Sequence, residues 1–162
     1  MCSSDLGLSE DELAKRPEVI VLASGCLGLV SFPRVPHRMS AEEIEELHPG
    51  MLPTLAGHPG IGWVMVRSEV DGAVVLGAQG SHRLRDDHVE GVDPLAGYGE
   101  HAADHLRRTD GFEHCPDILI NGAYDPETDE VAPFEEFMGS HGGLGGEQMH
   151  PFALIPSQWS EP

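Results

Sequence analysis

The chain has 162 residues and carries 28 Asp and Glu against 9 Lys and Arg, a formal charge of −19. That length fits one domain with a real core, and a hydrophobic content of 40% argues against intrinsic disorder despite the charge. A field this negative repels phosphate backbones and anionic lipid, which disfavours nucleic-acid binding and membrane-surface binding, whereas cations are drawn in.

No stretch reaches the roughly 20 apolar residues that cross a bilayer. The opening Met1-Cys2-Ser3-Ser4-Asp5-Leu6 lacks the basic and apolar regions of a secretion signal, so a cytoplasmic location without membrane insertion is expected. Cys2, Cys26 and Cys115 form an odd set without C-x-x-C spacing, which supports neither a disulfide framework nor a cysteine-only zinc site.

Residues 1–18 read as a polar, flexible or non-native lead-in with a short helix over Ser9 to Lys15, and 19–162 as the folded portion. Val19 to Ala23 is a continuous apolar run stopped by Ser24-Gly25. Such a run suits a strand buried on both faces, as in a parallel sheet covered by helices. Ser40 with Glu43 three residues later is a capping box and predicts a helix to Leu47. After Pro49-Gly50, Met51 to Ala56 adds a further helical turn or two.

Ile61 to Arg67 is predicted as a second buried strand. Val70 to Leu76 reads as a hairpin turning at Asp71-Gly72, and a short strand near Ser81 to Leu84 extends the meander. Ala102, Ala103 and Leu106 stand at helical spacing within Gly99 to Arg108. Asp117 to Asn121 is another strand, Asp125 to Asp129 a turn, and Phe152 to Ile155 a last strand. The fold class expected is α/β, with a mixed sheet that carries a hairpin insertion.

Three segments can carry chemistry. Gly139 to Gly146 places five glycines around His141. Glycine loses the most backbone entropy on folding, so this clustering fits a close backbone approach, with His141 as a neutral imidazole ligand for a metal. The same segment also fits a plain surface loop. Ser24-Gly25-Cys26 follows the first strand, where open α/β sheets bind ligands; Ser24 or Cys26 could take part, although a buried, inert cysteine is the commoner outcome. In the third segment Arg107 and Arg108 could clamp an anion, and Asp110 with His114 could hold a cation. Local ion pairing with an Asp-Gly turn after a helix is the commoner explanation of that segment. His101 and His105 lie four apart without the Glu of H-E-x-x-H, and His37, His48, His58, His82, His88 and His150 read as surface residues.

Five stretches together resemble one family: Val21 to Gly25, His58 to Gly62, Arg107 to Phe112, Tyr124 to Val131 and Gly139 to Gly146. From about Val19 to Trp159 the chain looks like the C-terminal half of alkaline-phosphatase-superfamily proteins, type I phosphodiesterase/nucleotide-pyrophosphatase-like, of the actinobacterial phage-holin-family membrane protein type. The resemblance implies an α/β/α sandwich with two divalent metals, zinc or manganese, at the strand ends. It also implies a Ser or Thr nucleophile that forms a covalent intermediate on a phosphoester substrate. His141 matches the family's late metal-ligand histidine.

The sequence departs from that pattern in two places. The family's nucleophile and first metal-binding Asp lie upstream of this half, and nothing before Val19 supplies them. Where typical members read Ser-Asp-His-Gly, this chain has Ala23-Ser24-Gly25-Cys26-Leu27-Gly28. Met1 to Leu6 also resembles translated adapter sequence, which points to a truncated product whose partner is the missing N-terminal half. The resulting expectation is a C-terminal fragment of a metal-dependent phosphoester hydrolase, inactive alone, whose parent is membrane-anchored. The alternatives are a catalytically degenerate, membrane-linked structural or binding domain, and a free-standing acidic domain that binds a cation or a basic protein. Exposed apolar strand surface would favour a half-sheet, and a closed core would favour independence.

Overall fold

The computed structural model describes residues 9–136, 141–150, 152–156 and 159. Seven strands, β1 (Ile20–Ser24), β2 (Leu27–Ser31), β3 (Ile61–Ser68), β4 (Gly72–Gly77), β5 (Gly80–Arg83), β6 (His88–Gly91) and β7 (Ile118–Gly122), form one sheet in the order β1-β2-β7-β3-β4-β5-β6. Four helices accompany it, α1 (Glu10–Ala14), α2 (Ala41–Leu47), α3 (Met51–Ala56) and α4 (Ala102–Asp110). A small hairpin of β8 (Tyr124–Asp125) and β9 (Glu130–Val131) follows β7.

The class is mixed α/β, but every ladder in the large sheet is antiparallel, which corrects the mixed sheet expected. Connection length accounts for the hairpin-joined pairs β1–β2, β3–β4, β4–β5 and β5–β6, though not for β2–β7 and β3–β7, whose strands lie far apart in the chain. Parallel neighbours need a crossover of a dozen or more residues, whereas β1 returns as β2 through the two residues Gly25-Cys26. The expected burial of β1 is also corrected. It is one of the two edge strands, and Val21 and Leu22 stay 68% and 60% exposed.

Alternation along the inner strands divides the core into two layers. Val64, Val66, Ile118 and Ile120 point to one face and pack under Ile44 of α2 and Leu52 and Ala56 of α3. Trp63, Met65 and Leu119 point to the other, against Tyr98 and Ala102 and Leu106 of α4. Period-two alternation on adjacent strands makes this two-sided burial possible, because successive side chains leave opposite faces of the pleat.

Local sequence accounts for the helix boundaries. The Ser40 hydroxyl accepts the Glu43 N–H at 3.1 Å while the Glu43 carboxylate accepts the Ser40 N–H at 2.8 Å, as the capping box predicts. Ser40→Ala is expected to lower stability by about 1 kcal/mol, read as a shifted urea midpoint with an unchanged slope. α1 begins in the same way, with the Glu12 carboxylate accepting both the N–H and the hydroxyl of Ser9.

β2 and β6 are strands without a counterpart in the sequence reading. Conversely, the strand expected over Phe152 to Ile155 is absent. These residues carry no regular secondary structure, and Phe152, Leu154 and Ile155 are exposed. A strand requires a hydrogen-bonding neighbour, and no described strand pairs with this segment. The first eight residues of the expected lead-in lie outside the described residues. Among the described residues no helix is long and apolar enough to cross a membrane.

Candidate functional site

The β1–β2 turn lies at the end of the sheet where β1 and β7 finish and β2 and β3 begin. Segments from late in the chain converge on it. The Gly25 N–H donates to Glu135 Oε2 at 2.7 Å, and the Gly25 carbonyl accepts from the Phe134 N–H at 2.7 Å. The Cys26 N–H donates to the His141 carbonyl at 3.0 Å, and the Cys26 carbonyl accepts from the Gly122 N–H at 2.8 Å. Gly25 has φ +61°, and a Cβ there would overlap the His141 main chain, so only glycine serves.

From His141 the glycine-rich segment crosses the Trp63 face as a strap. Asn121, at the end of β7, is fully buried and binds the strap's backbone as a neighbouring strand would. Its Oδ1 accepts the Leu144 N–H at 2.8 Å, and its Nδ2 donates to the Leu144 carbonyl at 3.0 Å. Nδ2 also donates to the Gly122 carbonyl at 2.9 Å, so the amide is satisfied on both sides. Gly143 lies directly over this pair, where a Cβ would collide with Asn121 Oδ1 and stand 2.7 Å from Cys26 Sγ. The glycines of the strap are therefore explained by close approach to the chain itself.

Nearby groups complete the packing. Gln148 Nε2 donates to Cys26 Sγ at 3.1 Å and to the Gly145 carbonyl at 2.9 Å. The Tyr98 hydroxyl donates to the Gly122 carbonyl at 3.2 Å, and burial raises it above the ordinary phenol range, so it stays a neutral donor. His141 is exposed, and its carbonyl is drawn into the turn.

The structure brings Ser24 and Cys26 to His141 and places the remaining candidates elsewhere. Asp110 lies at the opposite end of the sheet, where its carboxylate accepts Arg38 Nη1 at 2.7 Å and Arg67 Nη2 at 2.6 Å. The two ends are separated by the length of β7, roughly 13 Å. Burial pushes the Asp110 carboxyl up, but the hydrogen bonds from Arg67 and Arg38 outweigh it and hold the group below the usual carboxylate range. His114 is exposed in the loop after α4.

Arg107 donates to the Leu84 carbonyl at 2.6 Å, to Asp104 at 2.6 Å and to Asp87, while Arg108 lies over the Phe112 ring at 5.9 Å. Consecutive helix positions do not face one another, so the two guanidinium groups diverge. One histidine read as surface is buried: His82 is 7% exposed, between Asp93 at 3.0 Å and Asp87 at 3.2 Å. His101 and His105 stand tilted, with their ring centroids 6.3 Å apart.

No family model, no curated protein and no solved structure matches this chain. Among the described residues no group of three or more His, Cys, Asp or Glu is arranged to hold a metal. At the strap end the described residues offer one imidazole, that of His141, and do not by themselves make up a metal centre. A bound zinc takes three or four protein ligands, and Glu135 is engaged by the Gly25 N–H.

Sequence reasoning missed Asn121, Glu135 and Gln148. A signal existed for the first: Ile118-Leu119-Ile120-Asn121 ends an apolar strand on one polar residue, and a buried amide must have partners.

Proposed function

We propose that this chain is the C-terminal part of a metal-dependent, phosphodiesterase-like phosphoester hydrolase. In this reading His141 supplies one ligand to a zinc or manganese centre, and an upstream part of the polypeptide supplies the nucleophile and the other ligands. The metal would polarise the phosphoryl group and stabilise the charge that develops on it. The observation that supports this reading most is the β1 edge, unpaired among the described residues, with Val21 and Leu22 exposed on opposite faces of a strand that ends beside the His141 backbone. Independent domains cover or charge such edges. Completion of that edge by the upstream half would extend this sheet into the α/β/α sandwich of the alkaline-phosphatase type. A cytoplasmic position beside a membrane anchor in the parent belongs to the same reading.

The test uses the protein with its upstream half, assayed for metal-dependent hydrolysis of bis(p-nitrophenyl) phosphate. His141→Ala is expected to lower kcat/KM by at least about 100-fold, since even groups behind the ligands of a metal are worth 10–100-fold. Unchanged turnover in that variant would remove His141 from the site.

A second reading has its own observation. Where Ser-Asp-His-Gly would place two ligands, Ser24-Gly25-Cys26 forms a tight turn whose peptide groups are engaged within the chain. This favours a catalytically degenerate, membrane-linked structural or binding domain, and any metal-dependent turnover by the protein with its upstream half overturns it.

A further inference from the structure

We propose that this chain forms a two-fold dimer in which residues 152–155 of each copy add as a strand to the outer side of β1 of the other. Two features of the surface meet here, and each supplies what the other lacks. The outer side of β1 pairs with no described strand, so its main-chain N–H and C=O groups stand open beside the exposed Ile20, Val21 and Leu22. Late in the chain, Phe152, Leu154 and Ile155 are exposed as well, the first two at 87% and 92%, and they belong to no described strand. Prolines occupy positions 151 and 156, and because proline has no N–H to give, the ladder this tail can form is confined to the residues between them.

An added strand binds through its main chain and through side chains that alternate between the two faces. An antiparallel register that sets Leu154 opposite Leu22 also sets Ile155 opposite Val21 and Ala153 opposite Ala23, so apolar meets apolar at each position. Neither segment carries a charge, which matters in a chain of −19. The other edge strand, β6, contains Glu90 and follows Asp86 and Asp87, so a second copy is repelled there and admitted at β1. Gln148 bonds to Cys26 at the end of β1, yet Phe152 four residues later stays exposed on its own copy, which leaves the edge to the tail of another. Reciprocal exchange brings together three large apolar side chains of β1 and three of the tail on each side. That amounts to on the order of 1,000 Å² of apolar surface, the size at which a specific interface begins. The proposal does not rest on the hydrolase reading: an upstream half, where joined, competes with the tail for the same edge.

The experiment follows the 162-residue chain by sedimentation equilibrium from micromolar to millimolar concentration. A concentration-dependent dimer is expected, and Leu154→Asp and Val21→Lys are each expected to raise its dissociation constant at least about tenfold. Both positions are exposed, so the urea midpoints of the two variants are expected to hold. Cross-linking then identifies the occupant. In a Cys2→Ser background, mixing Leu22→Cys chains with Leu154→Cys chains is expected to give a disulfide that joins one of each, since opposed strand residues lie within disulfide reach. Cys26 and Cys115 are buried and do not compete. A chain with both substitutions that instead closes into an internally linked monomer assigns the tail to its own β1 and overturns the second copy as occupant. A monomer at every concentration, or a dimer that both charged variants leave intact, also overturns the proposal. Hydrolysis of bis(p-nitrophenyl) phosphate by the protein with its upstream half tests the hydrolase reading separately, so the two can fail independently.

Discussion

Asp110→Asn is expected to destabilise the fold by about 3 kcal/mol, the lower end of the cost of removing one partner from a buried ion pair. A loss of that size corresponds to a fall of roughly 6–12 °C in melting temperature for a chain of this length. Arg38 is the reason. Its side chain is 15% exposed and pairs with the Asp110 carboxylate, while its Nε and Nη2 are buried without a hydrogen-bond partner among the described residues. In the Asn variant the nearly buried cation loses its counter-charge and keeps only neutral acceptors of residue 110, the amide oxygen and the backbone carbonyl at 3.3 Å. Arg67 is half exposed, so its share of the triad is screened and Arg67→Ala should cost less, about 1 kcal/mol or below.

The same group sets an acid limb. Because the folded-state pKa of Asp110 lies below the ordinary carboxylate value, its contribution is present at neutral pH and is lost as pH falls through that depressed value. Stability against pH, measured by urea denaturation below about pH 4, should fall less steeply in Asp110→Asn than in the unsubstituted chain. Parallel curves would show that the pair contributes nothing.

Asp117→Ala carries the second large effect, again about 3 kcal/mol, through orphaned donors rather than an orphaned charge. The Asp117 carboxylate is 6% exposed and accepts the Phe32 N–H at 2.7 Å on one oxygen and the Met39 N–H at 2.6 Å on the other. It thereby pins both ends of the connection that leaves β2 and enters α2. Its removal leaves two buried N–H groups unpaired, each worth about 1–3 kcal/mol. Asp117→Asn keeps one acceptor and should recover part of the loss. Accelerated exchange confined to the Phe32 and Met39 amides would locate the effect, and exchange spread evenly over the sheet would contradict it.

The features legible in the sequence were the local ones. The α2 cap needs only Ser40 and Glu43, and β3, β4 and the turn between them lie within one short stretch. The order of strands was not legible, because β7 enters between β2 and β3 from some 50 residues farther along, and such pairing leaves no nearby mark. β1 misled because a run of apolar residues looks the same whether helices cover it or nothing does. Gly28 broke the pattern that would have disclosed β2. The glycine strap was recognised as unusual, but composition could not tell a ligand from the chain's own Asn121 and Cys26 as the thing approached.

The late arrival of β7 has a consequence for how the molecule comes into being. During synthesis, β1–β2 and the β3-to-β6 meander can each form as soon as they emerge, yet they share no ladder until residues 118–122 follow. At about 5–20 residues per second, both half-sheets wait on the order of seconds with an unpaired central border. Assembly of the whole then depends on one five-residue strand sliding between two finished pieces, a non-local step that belongs to slow folders. A nascent chain of this kind invites a chaperone at the ribosome more than its modest size would indicate.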